Sequence, residues 1–476
     1  MRSFVFSALA ILCLAWPALA QNNVTIRGKI LNPVEPKVTI RLERGNLSEP
    51  ESFTLDLDKA NGFVFSTKVD TLARFYLTHG PTHRIDTWIL EPGDDVAMTT
   101  DAKDFYPSMK FAGKNAAKYN YYVADYLETD TKRKWGEQWQ NNLAKPIGEQ
   151  FAYLDTILDV KMGILEKYKG QVSSLFYQVW KADLFGMVNS RRFTPIYQAM
   201  QKDPMFGLFS LTPEQRKFMK ASLPAQNDTT LYAMYYEGYL SSLMQLSLME
   251  VTKFSGAGWS PLTMKGFKQA FYRARFLEKA LAEDLVGNIG YAGITPEIQK
   301  EYDQFLKDYP TSPYLPALKK THEKMKALAK GMPATAFTLK NEKGEKVQLA
   351  DFKNKIVYLD FWASWCGPCI HEMKASKPVK EHFKDNKDLV FLYVSVDNEE
   401  KAWREAMAKH EVRGVNLWAE QAWQDPVTKA YNIVGIPKYY LIDGQGNFAT
   451  PPPRASMDGG KSLIQALEEA LATLKK

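Results

Sequence analysis

Cysteine is scarce in this chain, with three in 476 residues. So few thiols cannot staple a protein of this length, so a disulfide scaffold is excluded and apolar burial must build the core. Long hydrophobic runs are missing too, apart from one at the N-terminus, which excludes a polytopic membrane protein. Charge of one sign does not dominate: 61 basic side chains face 54 acidic ones, for a net +7. Short basic runs such as TKRKW from Thr131 have acids close by, so they read as solvated surface and no nucleic-acid partner is expected. The remaining composition, 45% apolar and 24% charged, suits a folded protein of several domains at about 100–200 residues each.

The N-terminus reads MRSFVFSALAILCLAWPALAQNN. Arg2 gives a positive start, Phe4 to Trp16 an apolar stretch, and Ala18-Leu19-Ala20 an A-x-A cleavage signal. This is the pattern of a secretory signal peptide over residues 1–20. The apolar stretch is shorter than the ~20 residues a spanning helix needs, so a retained anchor is the weaker reading. Cys13 follows Leu12 where lipidation requires a small residue. The expected location is the periplasm or another extracytoplasmic space, where the mature chain keeps only Cys366 and Cys369.

Three patterns then follow one another. Over 21–110, short segments such as VTIRGKI, KVTIRLERG, GFVFSTKV and RIDTWILEPG alternate apolar and polar residues between turn residues. They predict an antiparallel, sandwich-like β domain. His79 and His83 flank Gly80-Pro81 there and read as surface or turn histidines rather than metal ligands. Over 111–330 the apolar period becomes helical, predicting an all-α domain rich in aromatics and methionines. Thr212-Pro213-Glu214-Gln215 and Thr295-Pro296-Glu297-Ile298 look like capped helix starts. Over 331–476, strands IVYLDFWA (356–363), LVFLYVSVD (389–397) and YYLID (439–443) alternate with helical segments, as in an α/β sandwich. The stretch to Asp425 reads as irregular.

The chemistry concentrates in Trp365-Cys366-Gly367-Pro368-Cys369. The spacing allows one disulfide within a helical turn. A position between strand and helix puts Cys366 at a helix N-terminus, where free N–H groups and the dipole stabilise a thiolate. Cys366 is then the exposed attacking thiol, and Cys369, one turn deeper, resolves the mixed disulfide. Half a zinc site would need two further ligands, which His371 cannot supply alone. A structural staple closing so small a loop would constrain little. No metal or cofactor is expected, because the Cys366–Cys369 pair is itself the redox centre.

Residues 333–476 resemble the thioredoxin fold in its extracytoplasmic thiol–disulfide oxidoreductase branch, the TlpA/ResA-like group. The resemblance is carried by PATAFTL, KNKIVYLDFWASWCGPC, FLYVSVD and YNIVGIPKYYLIDGQG. More loosely, β and helical regions ahead of such a domain are similar to exported Bacteroidetes-type proteins. The resemblance implies a nucleophile at Cys366, a resolving thiol at Cys369 and a shielding aromatic at Trp365. It also implies a buried acid at Asp360 that deprotonates Cys369, a role that suits a carboxylate inside an apolar strand. Pro437 matches the cis-proline facing the dithiol, and Ile436 then offers backbone hydrogen bonds to an extended substrate. Gly367 and Pro368 complete the substrate-facing motif. Lys438 stands where thioredoxin commonly has Thr; either it tunes Cys366 or it snorkels to water. Tyr393 replaces a lysine near the buried acid, and Glu420 is a second candidate acid.

The implied activity is reduction of protein disulfides, with a membrane-bound electron donor and a homodimer through the N-terminal or helical regions as candidate partners. Two rivals stand beside it. One is a disulfide oxidase or isomerase. The other is a cell-envelope binding protein with an accessory redox domain.

Overall fold

A computed structural model of the full chain describes residues 22–202, 226–255 and 268–475, with residue 266 and without residue 46. The expected signal segment with Cys13, and the helix start at Thr212–Gln215, lie outside the described residues. The chain divides into two compact units, residues 1–280 and 281–476.

The first unit begins with eight strands: β1 (Val24–Leu31), β2 (Lys37–Glu43), β3 (Glu51–Asp56), β4 (Gly62–Thr67), β5 (Ala73–His79), β6 (His83–Leu90), β7 (Asp95–Asp101) and β8 (Lys110–Lys114). They form two four-stranded sheets, β4-β1-β7-β8 and β3-β2-β5-β6. Burial alternates along β1, β2, β4 and β7, so each sends one row of side chains into a shared core. The expectation of a wholly antiparallel domain needs correction, because β1 and β7 pair in parallel, Thr25 opposite Asp95 through Leu31 opposite Asp101. Strands β2, β3, β5 and β6 occupy the other sheet. The chain returns to β1 twice from that sheet, first as β4 on one edge, antiparallel, and then as β7 on the other, parallel. His79 also departs from its expected place. It is buried, with its ring between the Val34 N–H (2.9 Å) and the Lys37 carbonyl (3.0 Å).

Helices α1 (Ala116–Tyr126), α2 (Trp135–Asn142), α3 (Ile147–Tyr168), α4 (Ser174–Ser190), α5 (Thr194–Lys202) and α6 (Met234–Ser255) follow. Tyr122 of α1 stacks on Trp88 of β6 with ring centres 4.7 Å apart. Three buried ion pairs tie helices to the sheets and the turn between β6 and β7. Lys118 reaches Glu91 (2.8 Å) and Asp94 (2.7 Å), and Arg74 pairs with Asp183 (2.5 Å) while donating to the Tyr232 carbonyl (2.8 Å). Gly186 lets α4 approach α6 closely, since a Cβ there would sit 2.4 Å from the Tyr235 backbone.

Helix α7 (Ala274–Ala292) spans the division, and α8 (Pro296–Asp308) and α9 (Leu315–Lys326) open the second unit. The α8 start is as the sequence predicts: Thr295 accepts the Ile298 N–H, with Pro296 in the first turn. Then come β9 (Thr338–Asn341), β10 (Lys346–Gln348), β11 (Ile356–Trp362), α10 (Gly367–Ala375), α11 (Lys377–His382), β12 (Leu389–Ser395), α12 (Glu400–His410), β13 (Val415–Trp418), α13 (Pro426–Ala430), β14 (Lys438–Ile442) and α14 (Lys461–Ala472). The sheet order is β10-β9-β13-β12-β11-β14. Strands β11, β12 and β13 are parallel, while β14 and β9 run against their neighbours. All seven β11 residues are buried, as befits a strand paired on both edges and covered on both faces. Ile356 and Tyr358 face a core shared with Val379 of α11 and Leu463 of α14, and period-two alternation puts Asp360 on that same face.

Candidate active site

Strand β11 ends at Trp362, and the chain turns at once into α10. Asp397, just past β12, fixes this turn. Its carboxylate accepts the Ser364 N–H (2.9 Å) and hydroxyl (2.6 Å) and the Ser395 hydroxyl (2.7 Å). Its carbonyl accepts Trp418 Nε1–H at 2.7 Å. The clamped turn presents Trp365, which is 59% exposed and 6.4 Å from the Trp423 ring. Sequence reasoning had not singled out Asp397, although a lone acid just past an apolar strand was its visible signal.

Cys366 is the N-cap of α10, with Pro368 in the first turn. It is bonded to Cys369, and its Sγ accepts the Cys369 N–H at 3.1 Å. Both sulfurs therefore lie at the helix end where unpaired N–H groups favour negative charge. The expected exposure of Cys366 needs correction: it is 4% exposed and Cys369 1%. In the oxidised pair, Cys366 is drawn back over the first helical turn by its bond and its N–H contact. Gly367 and Pro368 are exposed, as is His371.

Asp360 is buried, and its Oδ1 has no hydrogen-bond partner among the described residues. Burial pushes its carboxyl up to about 8; the Lys380 ammonium pulls down and Glu372 pushes further up. Tyr393 and Tyr439 stand opposite it on the neighbouring strands. Lys380 of α11 lies 4.8 Å from the Tyr393 ring centre, and burial lowers it to about 8 against the pull of Asp360. The cation that acts on Asp360 thus comes from a helix. Glu372, one turn past Cys369, accepts the Ser456 N–H (3.2 Å) and hydroxyl.

The Ile436–Pro437 peptide is cis, with Pro437 buried and Ile436 half-buried. Lys438 pairs with Phe361 across β14 and β11, so Pro437 and Cys366 leave the sheet at the same end. The expectation that Lys438 snorkels to water needs correction: it is buried, and Nζ donates to the Gly290 (3.1 Å) and Tyr291 (2.5 Å) carbonyls. The α7 carbonyls, which have no helical partner, draw it there. Glu420 is exposed and pairs with Lys340 at 2.8 Å.

The AhpC/TSA family model matches residues 331–449. Thioredoxin-like protein YneN of Bacillus subtilis is 31% identical over 120 residues, covering 25% of this chain and 68% of that protein. The chain belongs to the thioredoxin-like thiol–disulfide oxidoreductases. Thiol-disulfide oxidoreductase ResA of Geobacillus kaustophilus is 35% identical over 120 residues, covering 25% of this chain and 67% of that protein. The matched segment spans about two thirds of the length of these curated relatives. The thioredoxin domain of a Bacteroides vulgatus thiol-disulfide oxidoreductase is 31% identical, covering 30% of this chain and 97% of that one, with a TM-score of 0.27. Within the thiol–disulfide oxidoreductase domain of this chain, Trp365, Cys366 and Cys369 follow β11 and Ile436 and Pro437 precede β14 at the same end of the sheet, with Asp360 two residues before the end of β11.

Proposed function

We propose that this protein is an exported enzyme that reduces disulfides in other proteins through Cys366 and Cys369. The observation that carries the reading is the Cys366–Cys369 pair at the α10 N-terminus, with the buried Asp360 on the sheet face beneath the helices. The Cys366 thiolate attacks one sulfur of a substrate disulfide, and the substrate's other sulfur leaves as a thiolate that takes up a proton. Asp360 in its ionised form accepts the Cys369 proton and returns it, through solvent, to the departing substrate sulfur. The Cys369 thiolate then attacks Cys366 Sγ, releases the second substrate sulfur and leaves Cys366–Cys369 oxidised. Two electrons and two protons pass to the substrate. Ile436 and Pro437 hold the substrate backbone alongside Gly367 and Pro368, and Trp365 covers the reacting sulfurs.

Turnover in this direction needs a thiol donor to re-reduce the pair. Export, read from residues 1–20, assigns that task to a donor at the membrane. Among the described residues no helix is long and apolar enough to cross a membrane. Equilibration of the full chain with glutathione buffers, read by thiol alkylation, tests the direction. A reductant should show a potential near the roughly −270 mV of thioredoxin. A value near the −180 to −120 mV range of isomerases and oxidases would reverse the assigned flow.

A further inference from the structure

The ammonium of Lys438 makes its hydrogen bonds to the last turn of α7, outside the matched family segment. Helix carbonyls there lack intrahelical partners, and the helix dipole favours a cation. Gly293, at φ +81°, caps the Ile289 carbonyl through its N–H, and Lys438 takes the next two carbonyls. The turn lies directly on the loop before Pro437, since a Cβ on Gly290 would sit 3.9 Å from Val434 Cγ2. Tyr291, next to Gly290 in the chain, is 53% exposed, and Val434 is 74% exposed. The Arg454 guanidinium lies 5.2 Å from the Tyr291 ring centre, donates to the Tyr291 hydroxyl, and stands 4.0 Å from Glu372 on the dithiol helix. A continuous chain of contacts thus joins Tyr291 to the helix bearing Cys369 and to the loop bearing Pro437.

We propose that Tyr291 is a specificity residue of the dithiol: with Val434 and Trp365 it forms an apolar rim for the extended, apolar segment flanking a protein substrate's disulfide, and Lys438 positions it. The inference rests on the disulfide-reducing reading above. Large exposed apolar side chains at one sheet end are what such a segment would cover. The rim uses a residue that lies before the start of the matched segment at 331.

The test mixes the reduced full-length protein with two oxidants and follows loss of its thiols. Hydroxyethyl disulfide is too small to span the rim; insulin offers disulfides within peptide chains. Tyr291→Ala should slow oxidation by insulin at least fivefold and leave the hydroxyethyl disulfide rate within twofold of the parent. Lys438→Met should give the same split, and Lys438→Arg should restore most of the insulin rate. Parental rates with both oxidants for Tyr291→Ala, or equal slowing with both, overturn the inference. If the parent protein reacts with neither disulfide, the functional reading itself fails and this inference falls with it.

Discussion

Replacing Asp360 by Asn should make the second unit more stable, and increasingly so as pH rises. The carboxyl is held at about 8 by burial, against an ordinary value of 3.8. Between these values the unfolded chain has released the proton while the native chain still holds it. The native state therefore binds more protons, and stability falls with rising pH at about 1.4 kcal/mol per unit. Asn carries no such loss, and any fixed cost of its buried amide is the same at every pH. The difference between variant and parent should thus grow by about 3 kcal/mol from pH 5 to pH 7 and level off above pH 8. Lys380, lowered to about 8 by burial, titrates above this window. Native-state hydrogen exchange of the β12 amides in the oxidised proteins reads the effect: the ratio of protection factors should rise about tenfold per pH unit. A ratio that stays flat from pH 5 to pH 7 would refute an acid held protonated by burial.

Other consequences follow from the same geometry. Lys380→Met removes the cation that draws the Asp360 carboxyl down, so the pH midpoint for Cys369 resolving a mixed disulfide should move above 8, measured by stopped-flow oxidation across pH. Asp397→Ala frees the Ser364 turn, and its loss of buried hydrogen bonds should cost about 2–4 kcal/mol and alter Trp365 fluorescence on oxidation. In the first unit, Lys118→Ala leaves Glu91 and Asp94 buried without their cation, which should cost about 3–5 kcal/mol and lower the thermal midpoint. Gly186→Ala would force α4 away from the Tyr235 backbone, at about 1–3 kcal/mol in the same melt.

The parts of this architecture legible in the sequence are those whose signal is local. IVYLDFWA announces a doubly covered strand because every residue is apolar except Asp360, and the two-residue gap between the cysteines fits one helical turn. Strand β8 escaped because KFAGK buries only Phe111, so no alternation marks it. Strand β13 escaped because VNLW is four residues long and owes its place to β12 and β9. The site shows the same division. Cys366, Cys369 and Asp360 sit in one segment, whereas Lys380, Asp397 and Tyr291 reach the site only through tertiary contacts. Lys438 misled for that reason: its neighbour in sequence is Pro437, but its binding partners are two carbonyls 147 and 148 residues away.

The central claim, that Cys366 attacks protein disulfides and Cys369 resolves the product, is tested most directly by trapping. A full-length Cys369→Ala variant, recovered from its native host under acid quench, should carry protein partners joined to Cys366 through disulfides that reducing agent releases. The same preparation with Cys366→Ala should carry none. Recovery of small thiols alone on Cys366, or of the same proteins from both variants, would contradict the account.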